Sequence, residues 1–151
     1  MRIGPRHIPD SLYKKILQSI PISCVDVVIV CGSKFLLGKR KNKPMQGVWW
    51  FVGGRVIKGE KLEEAVRRHV AREMGVRTVK IEKFLTTCGT MFKDSVQGPP
   101  AHTINSVFLV KVVSRDIAAL DGEMSEWKWF QKINKKWPPH IQRSLRVAGF
   151  Q

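Results

Sequence analysis

The chain has 151 residues and a net charge of +15, from 27 lysine and arginine residues against 12 acidic ones, and this length suits a single globular domain. No apolar run is long enough to span a membrane, and the first ten residues lack the apolar core of a secretory signal. The three cysteines lack C-x-x-C spacing, which argues against a disulfide framework or a zinc site and favours a reducing, cytoplasmic location.

Hydrophobic periodicity predicts helices and strands along the whole chain. Apolar residues recur at helical spacing in the first segment, which Asp10 can cap and Pro21 ends. The longest helical pattern stops at Gly75, a residue typical of the position after a helix. In chain order, the predicted elements are a helix at 10–20, strands at 25–30, 34–40 and 48–52, a helix at 61–74, strands at 80–92, 103–113 and 126–130, and a helix at 139–149.

The order of these elements predicts one domain, residues 1–151, with an α/β/α sandwich fold and a mixed β-sheet. Aromatic residues in short strands are more often core residues than platforms for a nucleobase. We therefore expect most of the strand tryptophans to lie in the core, namely Trp49, Trp50, Trp127 and Trp129.

The segment from Gly53 to Val76, GGRVIKGEKLEEAVRRHVAREMGV, carries the most specific pattern in the chain. A glycine turn leads into an amphipathic helix, and the spacing resembles the Nudix box, G-x5-E-x7-R-E-U-x-E-E-x-G-U, in which U is a bulky aliphatic residue. The residues that match this spacing are Gly54, Glu60, Arg68, Val70, Glu73, Gly75 and Val76. His69 and Arg72 occupy positions where the box has glutamate.

The residues before the box are similar to one branch of the Nudix proteins, the GDP-mannose mannosyl hydrolases. The similarity rests on L-L-G-K-R at 36–40, N-x-P-x-Q-G at 42–47 and G-G-R-V at 53–56, and it covers roughly the first half of the chain. That branch also lacks several box acids and keeps one helical glutamate as its principal carboxylate ligand. The resemblance implies the α/β/α sandwich and a homodimer.

A metal site is the main chemical implication of the box. Carboxylates on its helix would hold a hard divalent cation, Mg²⁺ or Mn²⁺, and the resemblance implies Glu73 and the backbone carbonyl of Gly53 as ligands. A guanidinium ~6 Å from such an ion would repel it by roughly 5 kcal/mol at an effective dielectric constant of ~20. Arg72 is therefore expected to pair with a ligand phosphate or to point away. Glu60 either serves the site, braces its loop or caps the helix that begins near Lys61.

The resemblance also implies a set of residues that face the ligand. Arg40 and Arg55 would bind it, with Arg55 stabilising the charge of a departing diphosphate, while Arg68 would orient Glu73. Asp26 is a charged residue inside an apolar strand, where a lone carboxylate is costly. It either contributes to sugar recognition, as in the branch, or is half-buried beside an arginine.

The second half of the chain departs from the branch before its last strand. Where the branch has a metal-binding glutamine and a catalytic histidine, this chain has Glu123 and Met124. Methionine cannot accept a proton, so Glu123 is predicted to serve as the general base or as a third metal ligand. Glu126 is a second candidate for the base.

Three functions follow, in decreasing order of support. The first is a Mg²⁺- or Mn²⁺-dependent hydrolase of a nucleoside diphosphate linked to another moiety, such as a GDP-mannose-like nucleotide sugar. The second is a Nudix fold with impaired catalysis that binds a nucleotide or nucleotide sugar as a sensor, because His69, Arg72 and Met124 each weaken the metal site or the base. The third is RNA processing, suggested by the net charge alone, which equally suits a lysine-rich solvated surface.

Overall fold

A computed structural model describes residues 3–117 and 122–151. In chain order its elements are α1 (Asp10–Ser19), β1 (Ile22–Cys31), β2 (Lys34–Arg40), β3 (Trp49–Trp50), β4 (Val52–Arg55), α2 (Leu62–Met74), β5 (Lys80–Phe92), β6 (Ala101–Lys111), β7 (Met124–Phe130) and α3 (Pro139–Val147). The one predicted strand at 48–52 is divided at Phe51, because β3 pairs with β2 whereas β4 pairs with β1. None of the helices described is long and apolar enough to cross a membrane.

The strands described form one mixed sheet. Its main path has the order β3-β2-β1-β6-β5, with β4 paired to β1 and β7 paired to β2. The pairing of β1 with β6 is parallel, and the other pairings are antiparallel. The predicted mixed sheet is therefore confirmed.

Alternation along β1 divides the core into two layers. Val25, Val27 and Ile29 pack in the cluster that includes the buried face of α2. Val28 and Val30 pack in the cluster that includes α3. Since α2 and α3 cover opposite faces of the sheet, the α/β/α sandwich is confirmed.

Helix α2 presents polar residues on its buried side as well as apolar ones. Its start is stabilised by Glu64, whose carboxylate accepts a hydrogen bond from the N–H of Lys61 at 2.9 Å. It ends at Gly75, which has a left-handed φ of 74°. Between these ends, His69 and Glu73 are buried together with the apolar residues of the helix. The last turn thus carries Glu73 to the edge of the sheet.

Helix α3 holds its face of the sheet through fully buried aliphatic side chains, among them Leu145. The change Leu145→Ala is expected to lower the free energy of unfolding by about 2–5 kcal/mol, because it leaves a cavity in a packed layer. Chemical denaturation measures the change. The matched control is Val147→Ala on the same helix, where the side chain is 47% exposed and the effect should stay within about 0.5 kcal/mol. Equal effects of the two changes would contradict the packing described.

Candidate functional site

A cavity of about 150 Å³ lies where β1, β4, the last turn of α2 and the residues before β7 meet. We call it the first cavity. Its charged and amide side chains are Asp26, Arg40, Glu73, Asn105 and Glu123, and the Gly53-Gly54 turn contributes backbone. The structure therefore brings together five of the residues predicted for the site: Asp26, Arg40, Gly53, Glu73 and Glu123.

Glu73 is the most deeply buried acid of this cavity, with 1% of its surface exposed. The N–H of Gly53 donates a long hydrogen bond of 3.4 Å to Oε1 of Glu73. A Cβ atom on Gly53 would lie only 2.6 Å from Oδ1 of Asp26. Glycine is thus required at this position for the peptide to lie between the two carboxylates.

Arg72 points toward the acids of the site. Its Nη2 atom lies 3.3 Å from Oε1 of Glu123 and 3.8 Å from Oε1 of Glu73. Of the two expectations for Arg72, that its side chain points away is therefore wrong, and that it pairs with a ligand phosphate stays a prediction. The guanidinium is attracted by the same two carboxylates that were predicted to bind the metal.

The donor atoms available here are of the type that a hard divalent cation prefers. Glu73, Glu123 and the Gly53 carbonyl offer oxygen, as Mg²⁺ and Mn²⁺ require. Among residues 3–117 and 122–151, no three His, Cys, Asp or Glu side chains come together as a metal-binding group. The fit therefore depends on two carboxylates and a backbone carbonyl, with Arg72 as a competing positive charge.

His69 stands where the box has an acid, but it is a packing residue here. It is 2% exposed, and its Nε2 atom donates a hydrogen bond to the carbonyl of Arg55 at 3.0 Å. Burial lowers its pKa to about 4, so the ring is neutral at neutral pH. A Cβ atom on Gly54 would lie 2.6 Å from Cε1 of His69. The His69 ring packs against Gly54 of the turn and does not line the first cavity.

Arg68 and Glu60 form an ion pair beside the turn. Arg68 donates to the Glu60 carboxylate at 2.7 and 2.9 Å, and also to the carbonyl of Arg55 at 2.9 Å. Glu60 in turn accepts a hydrogen bond from the N–H of Ile57 at 2.9 Å. Glu60 therefore braces the loop. The expectation that Arg68 orients Glu73 is wrong, because its guanidinium is held by Glu60 and the turn.

The other two predicted arginines lie in different surroundings. Arg40 lines the first cavity, and its Nε atom donates to the carbonyl of Pro44 at 2.6 Å. Arg55 donates to the carbonyls of Pro5 and Arg6 at 3.3 and 3.0 Å, so its guanidinium lies against the N-terminal segment. The structure does not place Arg55 in the first cavity, because those carbonyls draw it to the other side of the turn.

The two candidate bases near β7 are also separated. Glu123 lines the first cavity, whereas Glu126 is exposed in β7 opposite Lys39. A register shift between Lys39 and Arg40 leaves Ser125 as an extra residue in β7. Glu126 does not line the cavity with Glu123.

Asp26 has a partner that the sequence did not reveal. Its Oδ2 atom accepts hydrogen bonds from Nδ2 of Asn105 at 2.9 Å and from Nε2 of His140 at 2.6 Å. Asp26 is 3% exposed, so the expectation of a half-buried acid beside an arginine is wrong. Burial lowers the pKa of His140, but the hydrogen bond and charge of Asp26, together with the Cys88 thiol, outweigh it and leave the pKa raised. The only signal in the sequence was a carboxylate in an apolar strand.

A buried helical carboxylate lies beside a glycine turn, next to a mixed sheet that helices cover on both faces, which is the arrangement of an α/β/α sandwich. The NUDIX domain family model matches residues 21–134, and the chain belongs to this family.

The family match and one relative, an ADP-ribose pyrophosphatase, support a hydrolase, and a solved structure shows the same fold. The chain is 34% identical over 140 residues to the low-salt glycan biosynthesis protein Agl8 of Haloferax volcanii, covering 91% of this chain and 88% of that protein. It is 36% identical over 114 residues to an ADP-ribose pyrophosphatase of Methanocaldococcus jannaschii, covering 76% of this chain but 64% of that protein. The MutT NUDIX hydrolase of Burkholderia pseudomallei has the same fold, with a TM-score of 0.67 at 24% identity over 86% of this chain and 99% of that chain.

The buried, neutral His69 makes a pH-dependent contribution to stability. Its pKa is about 4 when folded and about 6.5 when unfolded, so protonation of the unfolded chain costs about 3 kcal/mol of stability as the pH falls from 6.5 to 4. The contribution is complete above pH 6.5. We expect His69→Gln to remove this part of the acid sensitivity, measured by urea denaturation from pH 7 to pH 4.5. His7→Gln, at an exposed position, is the control, and a wild-type minus His69→Gln difference that does not change with pH would contradict the assignment.

Proposed function

We propose that this protein is a metal-dependent hydrolase of a nucleoside diphosphate linked to another moiety, with nucleotide sugars as the leading substrate class. The observation that carries the proposal is the Glu73 carboxylate, 1% exposed, beside the peptide of Gly53 and in one cavity with Glu123. A carboxylate is buried in this way only where positive charge or hydrogen bonds compensate it. A bound cation would supply such compensation, and it would in turn attract the phosphates of a substrate.

The names of the relatives are consistent with this substrate class. One is named for glycan biosynthesis and the other for ADP-ribose, which is a nucleoside diphosphate linked to a second ribose. These names describe those proteins. GDP-mannose itself stays a prediction for this chain, based on its motifs at 36–40, 42–47 and 53–56.

Each residue of the first cavity has a role in this proposal. Nudix hydrolases generally use divalent cations, and here Glu73, Glu123 and the Gly53 carbonyl would hold Mg²⁺ or Mn²⁺, which neutralises phosphate charge when bound. Arg40 binds the diphosphate, because arginine stays charged even where it is largely buried. Glu123, rather than Glu126, accepts the proton of the attacking water, because it alone of the two lines the cavity.

A second function is favoured by a specific observation. The Arg72 guanidinium lies 3.3 Å from Glu123 and 3.8 Å from Glu73, so the acids already have a positive charge beside them. In a module that only binds nucleotides, this guanidinium would replace the cation and contact the phosphates directly. The two functions differ in whether binding requires metal.

Several properties stay predictions of the proposal: a single Nudix domain over residues 1–151, a homodimer, a cytoplasmic location and an RNA partner. The high positive charge is the support for the last.

The activity is tested with a panel of GDP-mannose, UDP-glucose, ADP-ribose and NAD, each with Mg²⁺ or Mn²⁺. We expect turnover of at least one compound, and we expect Glu73→Gln to lower kcat/KM by roughly 100-fold or more, because several kcal/mol of charge stabilisation are lost. The matched control is Glu63→Gln in the exposed first turn of the same helix. No turnover by correctly folded protein on any compound would refute the hydrolase.

The role of Arg72 is tested by Mn²⁺ binding, followed by electron paramagnetic resonance without nucleotide. We expect Arg72→Gln to bind Mn²⁺ roughly tenfold more tightly or better, since even a fraction of the repulsion at short range exceeds 1.4 kcal/mol. Arg67→Gln on the exposed side of α2 is the control. Unchanged Mn²⁺ affinity, together with metal-independent nucleotide binding by the wild type, would favour the binding module instead.

A further inference from the structure

A groove of about 570 Å³ lies at the C-terminal end of α2. We call it the arginine groove, because four arginine side chains are among the residues that line it: Arg6, Arg68, Ala71, Arg72, Gly75 and Arg77. None of the described residues that line it is acidic. The roles proposed above for the first cavity do not use Arg6 or Arg77.

The positive charge of the arginine groove exceeds what its surroundings compensate. Arg68 is paired with Glu60. Arg6 and Arg77 are exposed, and neither has an acidic partner in the part of the chain that the structure describes. The negative end of the α2 dipole amounts to only roughly half an elementary charge. Like charges around one groove repel one another, and a bound anion would relieve that repulsion.

Arg72 belongs both to the arginine groove and to the acids of the first cavity. It lines the groove, while its Nη2 atom lies 3.3 Å from Oε1 of Glu123 and 3.8 Å from Oε1 of Glu73. The side chains of Arg72 and Glu123 are 43% and 46% exposed. An ion pair as exposed as this one contributes roughly 1 kcal/mol or less. An anion in the groove can therefore compete with Glu123 for this guanidinium.

We propose that the arginine groove binds a phosphate group, and that the bound anion draws Arg72 away from Glu73 and Glu123, which leaves these carboxylates to a divalent cation. The anion site depends on the groove alone, whereas its effect on the metal rests on the function proposed above. Because such coupling is reciprocal, a cation held by the carboxylates would strengthen anion binding by the same factor.

The lining of the groove favours phosphate over other anions. Guanidinium groups form paired, charge-assisted hydrogen bonds with phosphate oxygens. A phosphate carries nearly two negative charges at neutral pH, so it gains more from several arginines than a carboxylate with one charge does. The uncharged part of the lining is Ala71 and Gly75, which are small and leave room for a tetrahedral group. The phosphate can be inorganic or part of a larger molecule, since the groove recognises the same chemistry in both.

Anion binding is measured by isothermal titration calorimetry on the metal-free protein, with inorganic phosphate, sulfate and glycerol 3-phosphate as ligands. We expect Arg77→Gln to weaken the binding of these dianions roughly three- to tenfold, the worth of one charge-assisted hydrogen bond. Tighter binding of inorganic phosphate or of the ester identifies the source of the phosphate, and either result supports the site.

Two variants control for charge and for location. Arg67→Gln removes the same charge from an exposed position of α2 that does not line the groove. Arg40→Gln changes the first cavity but not the groove. Both should bind phosphate as the wild type does. The anion site is overturned if the wild type binds none of the three anions, if Arg77→Gln binds them as tightly as the wild type, or if Arg40→Gln alone weakens binding.

The effect on the metal is measured by electron paramagnetic resonance of Mn²⁺ in sodium sulfate and in sodium chloride at equal ionic strength. We expect sulfate to tighten Mn²⁺ binding by the wild type roughly threefold or more relative to chloride, since sulfate would occupy the groove and take up Arg72. Arg77→Gln and Arg72→Gln should show no such tightening. They also correct for the weak pairing of Mn²⁺ with sulfate in solution.

Equal Mn²⁺ affinity of the wild type in the two salts would overturn the release of Arg72, and so would the same tightening in Arg77→Gln. If no variant binds Mn²⁺ in either salt, the metal-dependent hydrolase and the release of Arg72 both fail, and calorimetry still decides the anion site. Turnover of the compound panel without any anion binding supports the hydrolase and refutes the groove. The two proposals therefore fail separately.

Discussion

The burial of one negative charge, that of Glu73, is the constraint on which the site depends. A carboxylate that is 1% exposed must be compensated nearby. The structure supplies the N–H of Gly53 at 3.4 Å and the guanidinium of Arg72 at 3.8 Å. The fold fixes the position of the glycine turn, which is packed on His69, and it places Arg72 in the same helical turn as Glu73. A metal ion bound here would add its positive charge to that of Arg72 or would replace the Arg72 guanidinium beside Glu73.

A second buried carboxylate, that of Asp26, is compensated by His140 on the face of the sheet that α3 covers. Residues of β1 alternate between the two helices, so Asp26 faces α3 as Val28 and Val30 do. The hydrogen bond of 2.6 Å joins the start of α3 to the central strand. Because Asp26 lines the first cavity, this contact also holds its carboxylate at the wall of that cavity.

The sequence predicted the fold well and the site in part. Every predicted helix and strand is present, because periodicity and glycine stops act over short distances. Glu73 and Gly53, which the box spacing singled out, lie together at the first cavity. The directions of long side chains could not be predicted. Arg55 points to the carbonyls of the N-terminal segment and Arg68 to Glu60, and both directions depend on packing rather than on spacing. The partner of Asp26 lies 114 residues away, and one sequence contains no signal for it.

The position of Arg72 limits how this active site could change. Replacing it by an acid, the residue type of the complete box, would remove a positive charge and place a third carboxylate beside Glu73 and Glu123. Such a protein is expected to be less stable without divalent cations, because the three carboxylates repel one another. Tighter capture of the ion would thus come at a cost to the stability of the metal-free protein.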